Sequence, residues 1–289
     1  MGLALGSFLN VCIYRLPRGR SVVTPGSACP SCGQPIAPYD NIPVVSWLLL
    51  GGRCRRCGEP ITVRYAVVEL LTAILFAACV WRFGITAEGF KYGIFGFLLL
   101  GLIFTDAETK LLPNALTFPG IALGLGFSLM VPVNDVVTQW FSGSASHSWR
   151  LYSFLDSVVG AAVGAAFLYG VAAVYLRVRG VEGMGLGDVK LVAMIGAWLG
   201  LKLMVLTVFA ASVTGALFGI ATIFVIWGKR TRRLQLRVGS DEKVRRRAWQ
   251  SARLAYRYFE MPFGVFLGGM GFAALAFGNQ ILQWYWRRL

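Results

Sequence analysis

A chain of 289 residues that is 56% hydrophobic, only 14% charged and has a mean hydropathy of +0.64 is too apolar for a soluble domain. Its formal charge of +15 does not mark a nucleic-acid binder, because eleven of the 28 Lys and Arg fall within residues 229–257 without an interleaved base-stacking pattern. Six cysteines do not make a secreted disulfide framework when four of them form two Cys-x-x-Cys pairs.

The first apolar segment, residues 1–14, makes about 21 Å of helix against a hydrocarbon core of about 30 Å. A polar stretch, residues 15–64, follows. It holds Cys29-Pro30-Ser31-Cys32-Gly33 and Cys54-Arg55-Arg56-Cys57-Gly58, separated by 21 residues. A glycine after each pair permits the tight turn that points two thiolates at one ion, and four thiolates (Cys29, Cys32, Cys54, Cys57) suit a closed tetrahedral Zn2+ site. With no open coordination position such a zinc is structural; the competing reading is free thiols or a redox pair. Cys12 and Cys79 stand alone in apolar segments and read as packing residues.

Further apolar segments run at about 65–83, 89–105, 115–133, 151–178, 188–200, 203–227 and 262–285, which makes eight with the first. The expected fold is therefore an all-α polytopic membrane protein of about eight transmembrane helices. A small cytoplasmic zinc-binding insertion follows the first helix, and a transmembrane core over residues 65–289 carries a basic loop at 228–257. If residues 15–64 are cytoplasmic, 22 Lys and Arg lie on that side and 6 on the other, so the positive-inside rule sets the orientation. The basic loop reads as a segment held on the cytoplasmic face by anionic lipid. On the far side, Asp156 reads as interfacial and His147, the only histidine, as a surface residue. Glycines between Gly160 and Gly170 read as sites of close helix packing.

Two acids sit at segment ends on the cytoplasmic side. Asp106 ends the apolar run from Tyr92 to Thr105 and precedes Leu111-Leu112-Pro113-Asn114. Asp188, 82 positions later, lies in Gly183-Met184-Gly185-Leu186-Gly187-Asp188-Val189-Lys190. A carboxylate near the membrane costs insertion free energy and needs a reason. Two of them on separate helices could form an aspartic protease pair sharing one proton. Gly185 and Gly187 would let the loop take positive φ or approach an extended peptide closely beside Asp188. Lys190 reads either as a group that steers the pair or substrate, or as a snorkelling lysine. Glu69, inside an apolar run, either meets an incoming helix's amino terminus or pairs within the bundle.

These stretches together resemble the type IV prepilin peptidases, bifunctional membrane enzymes of the Gly-x-Gly-Asp aspartic peptidase group. The resemblance rests on Gly6-Ser7-Phe8-Leu9-Asn10-Val11, Tyr14-Arg15-Leu16-Pro17, the cysteine pairs around Asn41-Ile42-Pro43, and Arg64-Tyr65 with Val68-Glu69-Leu70. It continues through Asp106 with Leu112-Pro113-Asn114, Gly183 to Leu191, and Pro262-Phe263-Gly264. It implies that Asp106 and Asp188 are the catalytic pair, with Gly185 and Gly187 shaping the loop. It also implies a substrate, a prepilin or pseudopilin helix whose basic leader is removed, and a methyl donor, S-adenosyl-L-methionine, used on the new N-terminal amine. The location implied is the bacterial inner membrane, with the active site facing the cytoplasm. The chain departs from the family's usual pattern in its short first segment and its long basic loop.

Two other classes fit parts of the chain. An ion-coupled transporter could use intramembrane acids at helix breaks, but calls for inverted repeats and leaves the cysteine pairs without a role. A zinc-bearing membrane scaffold without chemistry would make both aspartates replaceable.

Overall fold

The computed structural model describes residues 1–133, 149–181, 183–238, 246–251 and 261–288, and among these the regular secondary structure is helical. His147 and parts of the 228–257 loop lie outside the described residues. Helix α1 (Gly2–Arg15) leads into the polar stretch, which holds one short helix, α2 (Val45–Leu49), and two isolated β-bridges. The bundle continues with α3 (Arg64–Phe83), α4 (Ala87–Thr109), α5 (Asn114–Ser128) and α6 (Trp149–Arg179).

The helical stretch Leu186–Val238 is broken at Gly200 (φ 79°, ψ −179°) into α7, residues 186–199, and α8, residues 201–238. Only glycine takes that conformation readily, and the chain doubles back there. Leu203 accordingly meets Gly278 at one end of α9 (Phe263–Trp286), while Gly215 lies near Met261 and Phe266 at its other end.

Five helical stretches are long and apolar enough to cross a membrane: Arg64–Phe83, Ala87–Thr109, Trp149–Arg179, Leu186–Gln235 and Phe263–Trp286. The eight expected segments are all helical, but α1 and α5 have only 14 and 15 residues, and the fourth of the five stretches contains both α7 and α8. Large apolar side chains such as Ile74, Phe167, Phe209 and Phe224 point outward, as a lipid solvent permits.

Helix α4 is the centre of the bundle, since 56% of its apolar window is buried against 22–33% for the others. One face, with Phe95, Leu98, Leu99 and Leu102, packs on Leu191, Met194, Ile195 and Trp198 of α7 and Leu267 of α9. Its opposite face meets Leu9, Cys12 and Ile13 of α1 and Val68 of α3 through Leu100. Cys12 and Cys79 are buried, free thiols. Helices α6 and α7 touch at Gly160 and Gly196, and Gly164 lies on Val192 and Met204, whereas Gly170 meets nothing.

Asp156 is buried within the protein in α6, 1% exposed. Helix α4 runs a turn past the apolar run that ends at Thr105, so Asp106 lies in its last turn. The turn stops at Lys110 (φ 55°), whose N–H bonds the carbonyl of Asp106.

Candidate active site

Asp106 is buried in the last turn of α4, and its surroundings explain the Pro-Phe-Gly motif 156 residues downstream. The first N–H groups of a helix have no partner within it, and they carry the positive end of the helix dipole. At the start of α9, Val265 donates such an N–H to Oδ2 of Asp106 at 3.0 Å. Pro262 occupies the cap position, where a missing N–H costs nothing. Gly264 lets the carboxylate approach: a Cβ there would lie 2.8 Å from Oδ2 and 2.9 Å from Cγ of Asp106. The sequence motif was visible, but nothing in it named the acid as its partner.

Asp188 lies half-buried in the first turn of α7, where its N–H meets the carbonyl of Gly185 at 3.2 Å. Gly187 beside it lies on Leu112, just past the last turn of α4, which brings Asp188 to the same end of the bundle as Asp106 and within electrostatic range of it. Of the two uses expected of the glycines before Asp188, positive φ or close approach, neither Gly185 nor Gly187 takes the first; Gly180 (φ 68°), which terminates α6, does. Gly187 does provide a close approach, its absent Cβ lying 3.1 Å from Cβ of Leu112, and Gly183 rests on the ring of Tyr175. Gly185 is exposed, with open space around it.

Lys190 donates from Nζ to Oδ1 of Asn114 at 2.7 Å and lies 5.4 Å from the ring centre of Phe118. It ties α7 to the first turns of α5, beside the acids. The Leu-Pro-Asn motif therefore has two uses: Leu112 seats Gly187, and Asn114 holds Lys190.

Glu69 stands apart from the aspartates. It is buried five residues into α3, where Oε2 accepts the N–H of Val44 at 2.7 Å, and the side chains of Ser7 and Asn10 also reach the carboxylate. Asn10 donates from Nδ2 to the carbonyl of Tyr65 at 2.9 Å. This network needs α1 and α3 in contact, and Gly6 allows it, since a Cβ there would lie 2.6 Å from Cα of Glu69. Just below, Arg64 pairs with Glu108, joining the first residue of α3 to the last turn of α4. No motif announces that ion pair, whose members are 44 positions apart.

The cysteine pairs fold into two matching turns. In the first, Cys29 takes the carbonyl of Gln34 at 2.9 Å and Gly33 (φ 69°) returns its N–H to Cys29. In the second, Cys54 takes the carbonyl of Glu59 at 2.9 Å and Gly58 (φ 72°) returns to Cys54. Both glycines adopt the left-handed turn that other residues resist. All four sulfurs lie within 4.8 Å of one another, and Cys29 and Cys57 are 3.8 Å apart. A tetrahedral Zn2+ with Zn–S bonds of about 2.3 Å sets its sulfurs about 3.8 Å apart, so the residues present fit the ion. Backbone N–H groups of Cys57 and Arg56 hold the Cys54 thiol down to about 6, toward the thiolate a metal needs. Beside the cluster, hydrogen bonds from Arg55 hold the Asp40 carboxyl below the usual carboxylate range.

Residues 1–83 match the profile of the Bacterial Peptidase A24 N-terminal domain, and residues 93–220 match that of the Type IV leader peptidase family. A prepilin leader peptidase/N-methyltransferase from Myxococcus xanthus is 38% identical over 252 residues, which cover 86% of this chain and 70% of its own. One of the same description from Pseudomonas aeruginosa is 33% identical over 308 residues, covering 99% of this chain and 91% of its own. The chain belongs to the prepilin leader peptidase family. A further member, from Neisseria gonorrhoeae, is 37% identical over 245 residues, covering 74% of this chain and 77% of its own. The N-terminal match contains the four cysteines and Glu69, the second contains both aspartates, and Pro262 to Gly264 lies beyond either. No solved structure matches the chain.

Proposed function

We propose that this membrane protein removes the leader peptide from type IV prepilins or pseudopilins and then N-methylates the new N-terminal residue, with Asp106 and Asp188 as the hydrolytic pair. Family membership supports the two activities. The observation that carries the residue assignment is the meeting of two acids from α4 and α7 at one end of the bundle, under the first turn of α9. The N–H of Val265 fixes one carboxylate, and hydrolysis by the pair takes place on a water held between the two acids. One carboxylate takes a proton from the water while the other gives a proton to the scissile carbonyl oxygen. The two titrate as a unit. The transporter and scaffold readings draw no support from the comparisons.

The cysteine cluster holds a structural Zn2+ that braces residues 15–64, because four thiolates leave no position for a reacting water. S-adenosyl-L-methionine supplies an electrophilic methyl group when bound. The protein sits in the bacterial inner membrane with eight crossings, residues 15–64 and both aspartates being cytoplasmic; the 22 to 6 division of Lys and Arg supports that orientation. The basic stretch 228–235, which continues α8 as helix rather than forming the expected loop, meets anionic lipid.

Incubating the purified protein with a full-length prepilin tests the reading. A product shortened at the leader and carrying one added methyl is the expected result, and an unchanged precursor would remove the assignment. In intact cells, cysteine at Lys202 should label from outside and cysteine at Arg20 should not; the reverse pattern would place the aspartates on the wrong face.

A further inference from the structure

Glu69 is the buried acid that hydrolysis leaves unused; Val44, Ser7 and Asn10 reach its carboxylate, but one acceptor beside it has no donor. Asn10 is 3% exposed, its amide nitrogen is committed to Tyr65, and its Oδ1 is buried with no hydrogen-bond partner. The nearby hydroxyl of Thr72 is committed to the carbonyl of Val68 at 2.7 Å. An orphaned acceptor costs free energy comparable to a lost hydrogen bond, so a buried one beside a carboxylate marks a place for a cationic donor. An ammonium, with three N–H groups and a positive charge, meets that description.

The cover over this pocket is strained. Val44 has φ 62° and ψ −49°, and Val45 donates to the carbonyl of Pro43 at 2.6 Å, a three-residue turn that a β-branched residue adopts only under constraint. Its N–H is the donor that Glu69 now receives. The cysteine-bearing segment thus places one backbone N–H where a ligand's ammonium would place its own.

Glu69 also lies near the level of Asp106 along the bundle. The Arg64–Glu108 pair aligns the ends of α3 and α4. Glu69 is five residues from Arg64, about 7.5 Å along the helix, and Asp106 is two residues from Glu108, about 3 Å. Helix α1 links the two places, with Gly6 on Glu69 and Leu9 on Gly101 of α4.

We propose that Glu69 and Asn10 bind the α-amine that leader cleavage exposes and hold it for methylation. This rests on the cleavage reading above and adds to it the place where the product's new terminus goes. The carboxylate of Glu69 takes one proton from the ammonium, leaving the nitrogen lone pair free. With a methyl donor bound, that pair would form the N–C bond as the donor's C–S bond breaks with its electrons remaining on sulfur; the product would leave as the methylated ammonium, and Glu69 would pass the proton it took to water.

The test uses full-length protein in lipid nanodiscs and two fluorescent peptides of a cleaved pilin N-terminus, one with a free amine and one N-acetylated. The unsubstituted protein should prefer the free amine by about 10- to 100-fold, the worth of a charge-assisted contact. Glu69→Gln, which can still accept from Val44, should abolish that preference without changing bound zinc, and Asn10→Leu should reduce it. A preference that persists in both variants overturns the proposal. So does an unchanged peptide preference with weakened binding of S-adenosyl-L-methionine, which would give the pocket to the methyl donor. Precursor cleavage by the unsubstituted protein is measured alongside. Its failure removes the underlying reading, whereas intact cleavage with a persistent preference removes the amine pocket alone.

Discussion

The cysteine cluster and the aspartate pair are assembled in opposite ways. Each half of the cluster is a five-residue turn closed by its own backbone and ended by a left-handed glycine, so either half positions two sulfurs locally. The aspartates come from two helices 82 positions apart and depend on a third, α9, whose first turn holds one of them. A site made of local turns tolerates change elsewhere in the chain. One made by helix packing is sensitive to any group that moves a helix by an ångström.

The sharpest way to break the comparison is to remove one acid. Asp106→Asn or Asp188→Asn should each lower precursor cleavage by at least about 10³-fold, with little further loss in the double variant, because residues acting as a unit are not additive. A substrate supplied already cleaved should still be methylated by either variant. Single-turnover cleavage and a methylation assay check both statements; appreciable cleavage by either variant sinks the pairing.

A smaller change tests the dependence on α9. Gly264→Ala places a methyl 2.8 Å from Oδ2 of Asp106, and the carboxylate or the helix has to give way. Cleavage should fall by about 10²-fold, the scale of an ångström's misplacement, with zinc content unchanged. An unaltered rate would show that the acid does not need this seat.

Metal removal tests the other region. The purified protein should carry about one Zn per chain, and chelation or Cys29→Ser should open residues 15–64 to protease. Cleavage of the precursor should change less than tenfold, because Asp106 and Asp188 are held by other elements. Metal analysis and limited proteolysis read the outcome, and a protein that carries no zinc as purified, or whose residues 15–64 resist protease equally well after chelation, would end the zinc assignment.

The smallest effect concerns the ion pair beside the cluster. Arg55 donates to both oxygens of Asp40, at 2.8 and 2.6 Å, and lowers its pKa. A carboxyl whose folded value is depressed adds stability above its unfolded value of about 3.9 and loses it as pH falls through the folded value. Arg55→Ala should therefore soften residues 15–64 slightly at neutral pH, with the difference closing in acid, because a solvent-exposed pair is screened. Protease-protection curves against pH measure it.

What the sequence determined alone is whatever is written in short range. Apolar runs fixed the helices, since a helix satisfies its backbone within itself wherever lipid surrounds it. Spacing and glycines announced the cysteine turns because each closes within about six residues. What the tertiary structure decided are relations between helices. Asp106 belongs to the first turn of α9, Lys190 to Asn114, Glu69 to Val44, and Arg64 to Glu108. Of the two uses open to the glycines before Asp188, close approach holds at Gly187, which meets Leu112, and positive φ is found at Gly180, where α6 ends; the buried position of Asp156 follows from packing. Periodicity tells which residues are apolar but not which face meets which neighbour. In a bundle whose outside is as apolar as its inside, hydropathy cannot supply that choice; small residues and paired polar groups make it.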